Sequence, residues 1–138
     1  MTVLLAYTPT SAGLAAVRAA AEEAKRRGSE DVTIVSVLRT RASAPPPDPV
    51  SGVSAEQDLD AVADDLARQG LTVNVELEGS GDVVDHVLAV AERVKPSVVV
   101  IGLRRRTAVG KLLLGSTSQR LLLELDYPIV AVKAPDGS

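Results

Sequence analysis

The chain has 138 residues, 46% of them hydrophobic, and a formal net charge of −3 from 15 basic and 18 acidic side chains. That length suits one domain with one core, expected over residues 1–138, and charges of both signs are interspersed, which argues against a general nucleic-acid surface. With no cysteine there is no disulfide, thiolate metal site or cysteine nucleophile.

Phe and Trp are absent and only two Tyr occur, so Leu, Val, Ile and Ala must build the core. The opening MTVLLAYTPT lacks a basic n-region and its apolar run is too short for a signal peptide. No apolar run approaches the roughly 20 residues that a membrane helix needs. A cytoplasmic domain with no membrane partner is therefore expected, and the absence of cysteine fits a reducing compartment.

TVLLAYT (2–8) is a short apolar run rich in strand formers, closed by Pro9. SAGLAAVRAAAEEAKRRG follows as a helix: Thr10 or Ser11 caps it, basic residues fill its last turn, and Gly28 ends it. DVTIVSVL (31–38) is a second strand. RTRASAPPPDPVSG (39–52) is excluded from helix and ladder because proline removes donors and fixes φ; a mobile loop is expected there. VSAEQDLDAVADDLARQG carries Leu59, Val62, Ala63 and Leu66 at helical spacing and stops at Gly70. LTVNVELE alternates, with Leu71, Val73, Val75 and Leu77 on one face, as a strand near a sheet edge would. GDVVDHVLAVAERVK is a third helix, started by Ser80 or Asp82. SVVVIG is a short continuous apolar run, the mark of a central strand covered on both faces. A loop with Gly102, Gly110, Gly115 and the run Arg104-Arg105-Arg106 leads to a helix from about Ser116 to Leu125, and YPIVAVKA closes the series as a last strand.

Five alternations of strand and helix predict an α/β sandwich with a mostly parallel sheet, helices on both faces and right-handed crossovers. Ligands of such sheets bind outside the carboxyl ends of the strands, where the winding reverses. Two loops at that edge stand out: the hydroxyl-rich Thr8-Pro9-Thr10-Ser11, and the glycine-arginine loop after Gly102.

A loop that wraps phosphate needs glycines for close approach, together with amides and a helix N-terminus aimed at the anion. Gly115-Ser116-Thr117 opens a helix with free amides and hydroxyls. A P-loop is excluded, because Gly110-Lys111 is followed by Leu112 and the upstream glycine position holds Arg105. No GxGxxG occurs. On spacing alone, a phosphate cradle and an ordinary basic turn before a capped helix both remain open.

With Gly102, two residues, then Arg105, nine residues, and Gly115-Ser116, the chain resembles the universal stress protein family. Nucleotide-binding members carry glycine at all three glycine positions of that spacing; here Arg105 replaces the second. The resemblance extends over essentially the whole chain, including VLLAYTPTSAG and GKLLLGSTSQRLLLELDYPIVAVK. It implies a Rossmann-like three-layer sandwich with strand order 3-2-1-4-5. It also implies binding of ATP or a related adenine nucleotide, with magnesium accompanying ATP. By the same resemblance Gly102, Arg105, Gly115, Ser116 and Thr117 take the phosphates, and Thr8, Pro9, Thr10 and Val37 line the adenine and ribose side. The family's aspartate at the end of the first strand is Thr8 here, which keeps one hydrogen bond but not the charge. Arginine at a left-handed glycine position would cost about 1–2 kcal/mol; in return, Arg104, Arg105 and Arg106 offer guanidinium groups to phosphate. The resemblance also implies a homodimer paired through Ile129, Val130, Ala131 and Val132.

No catalytic residue is assigned. The sole histidine, His86, reads as a solvated side chain paired with Asp82 at i, i+4. Asp64-Asp65 and Glu22-Glu23 read as exposed helix faces, and no HxxE or Gly-x-Ser-x-Gly constellation occurs. The expected function is a nucleotide-binding regulatory protein. The alternatives are a dimeric interaction module of the same fold that binds no nucleotide, and a small enzyme with weak ATPase or adenylyl-transfer activity. No metal site is expected in the protein itself.

Overall fold

The computed structural model describes residues 2–7, 11–29, 31–36, 55–77, 83–103 and 116–133. The proline-rich segment 39–52 lies outside the described residues. Nine elements follow in chain order: β1 (Thr2–Tyr7), α1 (Ser11–Arg26), β2 (Asp31–Ser36), α2 (Ala55–Arg68), β3 (Thr72–Leu77), α3 (Val83–Val94), β4 (Val98–Leu103), α4 (Ser116–Glu124) and β5 (Ile129–Lys133). The strands form one sheet in the order β3-β2-β1-β4-β5, and every pairing is parallel.

Strand alternation decides which side chains meet which helices. Val3, Leu5, Tyr7, Val32, Ile34, Val98 and Val100 face one layer, where they pack with Ala16, Ala20 and Ala24 of α1 and with Val62 and Leu66 of α2. Leu4, Ala6, Val35, Val99, Ile101 and Leu103 face the other, against Val84, Val87, Val90 and Ala91 of α3 and Leu121 and Leu125 of α4. β1 and β4 are buried on both faces, which is why their sequences run apolar without a break. β3 is an edge strand as its alternation implied, and its Val75 is 40% exposed.

Helix α1 owes its position to small residues. Ala12, Ala16, Ala20 and Ala24 recur every four residues and are 0–1% exposed, so the helix backbone lies close against β1 and β4. It ends where Gly28 takes φ 67°, with the Ser29 amide donating to the Ala24 carbonyl at 2.8 Å. α2 ends the same way: Gly70 takes φ 89° and the Leu71 amide donates to the Leu66 carbonyl at 3.3 Å. These six-to-one closures satisfy carbonyls that the helix leaves without partners. α3 closes instead on Lys95, whose φ is 48° and whose amide donates to the Ala91 carbonyl at 2.7 Å.

Some boundaries differ from the expected ones. β3 begins at Thr72 rather than Leu71, and β4 runs one residue past Gly102 to Leu103. The last strand begins at Ile129 rather than Tyr127. Pro128 still joins it to the sheet, because its carbonyl accepts the Val99 amide at 2.8 Å.

Candidate nucleotide site at the carboxyl edge

The winding reverses between β1 and β4: β2 and β3 extend the sheet on one side, β4 and β5 on the other. All strands are parallel, so Tyr7 of β1 and Leu103 of β4 end at the same edge. The helix after each strand returns antiparallel to it, which brings the N-termini of α1 and α4 to that edge as well. The two helices lie in opposite layers, α1 over Val3, Leu5 and Val100 and α4 over Val99 and Ile101. Neither carries an acidic residue in its first turn, so no carboxylate there offsets the positive end of its dipole. Two such termini flanking one switch point favour an anion.

Gly102 stands at the centre of this edge. It is the penultimate residue of β4, paired with Val132 of β5. A Cβ placed on it would lie 2.2 Å from the Ala12 carbonyl oxygen and 2.6 Å from the Ala12 carbonyl carbon. Ser116 and Thr117 form the first turn of α4. Thr8, Pro9, Thr10, Val37, Arg104, Arg105, Arg106 and Gly115 fall outside the described residues. The structure thus brings Gly102 and the Ser116-Thr117 turn to one edge and describes neither the glycine-arginine loop nor the turn after β1.

Other expected features resolve differently. His86 was read as solvated, but it is half-buried and its Nε2 atom is buried. The buried stripe of α3 comprises Val84, Val87, Val90 and Ala91, and position 86 lies next to Val90 around the helix, on the flank of that stripe. Its expected partner Asp82 lies outside the described residues. Asp64 and Asp65 are exposed. Glu22 is exposed, whereas Glu23 is drawn into ion pairs with Arg26 at 3.0 Å and Arg27 at 3.1 Å. Among the described residues no group of three His, Asp or Glu is placed to hold a metal. A shallow groove of about 220 Å³ between α1 and α2, lined by Arg18, Glu22, Lys25, Asp65 and Gln69 among others, runs toward the opposite edge.

In β5, Val130 and Val132 pack toward α1 and Ile129 packs toward the α3–α4 layer, while Ala131 and Lys133 are exposed. The apolar residues of this strand thus face both layers, unevenly along its length. The contact between Ala12 and Gly102 had escaped sequence reasoning, although alanines at every fourth position of α1 were a visible sign of close helix–sheet approach.

The fold and its edge define a class, the doubly wound α/β proteins whose ligand site lies at a switch point between two helix N-termini. Comparison narrows it: a sequence profile of the Universal stress protein family matches residues 1–133, and the chain belongs to that family. A universal stress protein from Mycolicibacterium smegmatis is 33% identical over 135 residues, covering 98% of each chain. A universal stress protein structure from Archaeoglobus fulgidus is 26% identical with a TM-score of 0.73, covering 96% of this chain and 98% of its own. A further structure of a universal stress protein from that organism, in complex with dAMP, shares the fold at 22% identity and a TM-score of 0.67, covering 96% of this chain and 98% of its own. No described helix is long and apolar enough to cross a membrane.

Proposed function

We propose that the chain binds an adenine nucleotide, ATP first among them, at the carboxyl edge between β1 and β4, and that it acts as a regulatory binding protein of the cytoplasm rather than as an enzyme. One observation carries this reading: the first turns of α1 and α4, both free of acidic residues, flank the switch point on opposite faces. Proteins of similar fold with dAMP, AMP and cAMP bound support adenine as the base. The phosphates lie beyond Gly102 on the amides of Gly115 to Thr117, with Arg105 beside them. Thr8, Pro9, Thr10 and Val37 border the adenine and ribose. Magnesium enters on the phosphates themselves, since the described residues offer no acidic cluster for it. Residues 1–138 form one domain in this reading, and two copies pair through β5.

Titration calorimetry with ATP tests the assignment. Ser116→Ala weakens binding by about 1–2 kcal/mol, the effect of losing one hydrogen bond to a charged group. Arg105→Gly reports on the substituted position: affinity rises where the arginine obstructs the cradle and falls where it binds phosphate. ATP binding unaltered in both variants removes the site from this edge. The exposed Ala131 on an edge strand supports a second reading, a dimeric interaction module without nucleotide. Mass spectrometry of gently purified protein separates the two, because only the first predicts co-purifying ATP, ADP or AMP.

A further inference from the structure

We infer that two copies of the chain meet antiparallel along β5 about a two-fold axis centred on Ala131, and that Lys133 of each copy reaches the last turn of α4 in the other. This register rests on the β5 pairing of the proposed function and goes beyond it. Backbone direction narrows the choice. Along a strand the N–H and C=O of one residue point to one side, and those of the next residue to the other. Val99 pairs with Ile129, and its amide donates to the Pro128 carbonyl at 2.8 Å. The backbone groups of Pro128, Val130 and Val132 therefore face β4. Those of Ile129, Ala131 and Lys133 face the edge beyond β5, the last strand of the sheet.

Three outward residues leave few registers. Centred on Ala131, the ladder pairs Ala131 with its own copy and Ile129 with Lys133 in both directions, so all three are satisfied. Centred on Lys133 it would set two like charges opposite each other. Centred on Ile129 it would run into the turn at Pro128, and centred on Val130 or Val132 it pairs only two of the three. Side chains favour the same centre. Ala131 and Lys133 share the face on which Ile129 packs toward the α3–α4 layer. Around α4, Arg120 and Glu124 form the flank toward α3, where Arg120 stands 3.7 Å from Asp85. Leu122 lies on the other flank, on the side of β5, with the 77% exposed Leu123 next to it. The small Ala131 leaves these leucines room between the two α4 helices. α4 has no basic residue in its last turn, and the exposed Asp126 follows it. Lys133 of the second copy, set against Ile129, brings positive charge to that negative helix end. The edge is thus complementary to itself, which selects a second copy as its occupant.

Sedimentation of the full-length chain decides the pairing, and single cysteines decide its centre, since the chain has no cysteine of its own. Positions 131 and 133 are both exposed, so neither substitution disturbs the core. Ala131→Cys sets two thiols on Cα atoms about 5.5 Å apart, within disulfide reach, and mild oxidation gives a covalent dimer. Any other centre separates them by more than about 7 Å, too far to bridge. Lys133→Cys lies about 13 Å from its copy and gives no covalent dimer. Lys133→Glu weakens the dimer about tenfold, and adding Asp126→Lys restores it. A dimer that Ala131→Cys fails to cross-link, or that Lys133→Cys does cross-link, overturns the register alone. Lys133→Glu at wild-type affinity, or a double variant no tighter than Lys133→Glu, overturns the contact with α4. A wild type that is monomeric at micromolar concentration refutes the β5 pairing itself, and the register falls with it.

Discussion

Tyr127 is half-buried at the turn into β5, with the carboxylates of Glu92 and Asp126 near its phenol. Partial burial, then the two negative charges, raise its ionisation above the ordinary tyrosine range. A raised folded value means that the neutral phenol is the favoured form. Its contribution to stability is complete below the ordinary tyrosine value and is lost as pH rises through the folded one. Ultraviolet titration of a Tyr7→Phe background isolates this group. Its midpoint lies above that of free tyrosine and moves down in Glu92→Gln; a midpoint at the ordinary value rejects the placement. At this scale the sequence was legible only where a residue type forces a role. The glycines that end α1 and α2 spoke plainly. His86 did not, because a flank position on a helix is decided by a few tens of degrees of rotation, and the apolar residues Val83, Val84 and Val87 allow more than one stripe.

The ends of the three longer helices separate by residue type. α1 and α2 close on glycines with positive φ, whereas α3 closes on Lys95 at φ 48°. A side chain in that region costs about 1–2 kcal/mol, partly offset in a glycine variant by greater unfolded-chain entropy. Lys95→Gly is expected to stabilise the protein by about 0.5–1 kcal/mol, read as a higher denaturant midpoint at unchanged slope. For β5, the exposed face is the place to probe the proposed pairing. Val130 and Val132 pack toward α1, so lysine there would damage the protein's own core together with any interface. Ala131→Lys avoids that confusion. It yields a monomer in sedimentation with unchanged circular dichroism and a melting temperature that no longer rises with protein concentration, and a wild type already monomeric at micromolar concentration rejects the dimer. Every element was legible in the sequence, because strand runs and helical stripes have different periods. Element order within the sheet was not, since alternation fixes crossovers and leaves strand order open; the family resemblance supplied 3-2-1-4-5.

Across the molecule, β1 and β4 contribute to both core clusters, with Leu4 and Leu5 pointing into opposite layers. Neither layer can open without exposing residues of a strand shared with the other. Denaturant unfolding is accordingly expected as one transition, with far-ultraviolet circular dichroism and tyrosine emission coincident; separated transitions reject a single domain. Of the site, the sequence showed which loops reach the carboxyl edge, because parallel alternation places every strand-to-helix loop there. It concealed that Gly102 is pressed against the first turn of α1, a contact between residues 90 positions apart.

Tyr7 ends β1 at the same edge and is 2% exposed, packed in the α1–α2 layer. Tyr127 stands at the other end of the sheet, and tryptophan is absent. The chain therefore carries its own optical label: one fluorophore inside the wall of the proposed site, and one remote from it as an internal reference. Any shift of α1 against β1 changes the packing around the first and leaves the second alone, so a ligand that moves α1 has a spectroscopic readout that needs no added dye.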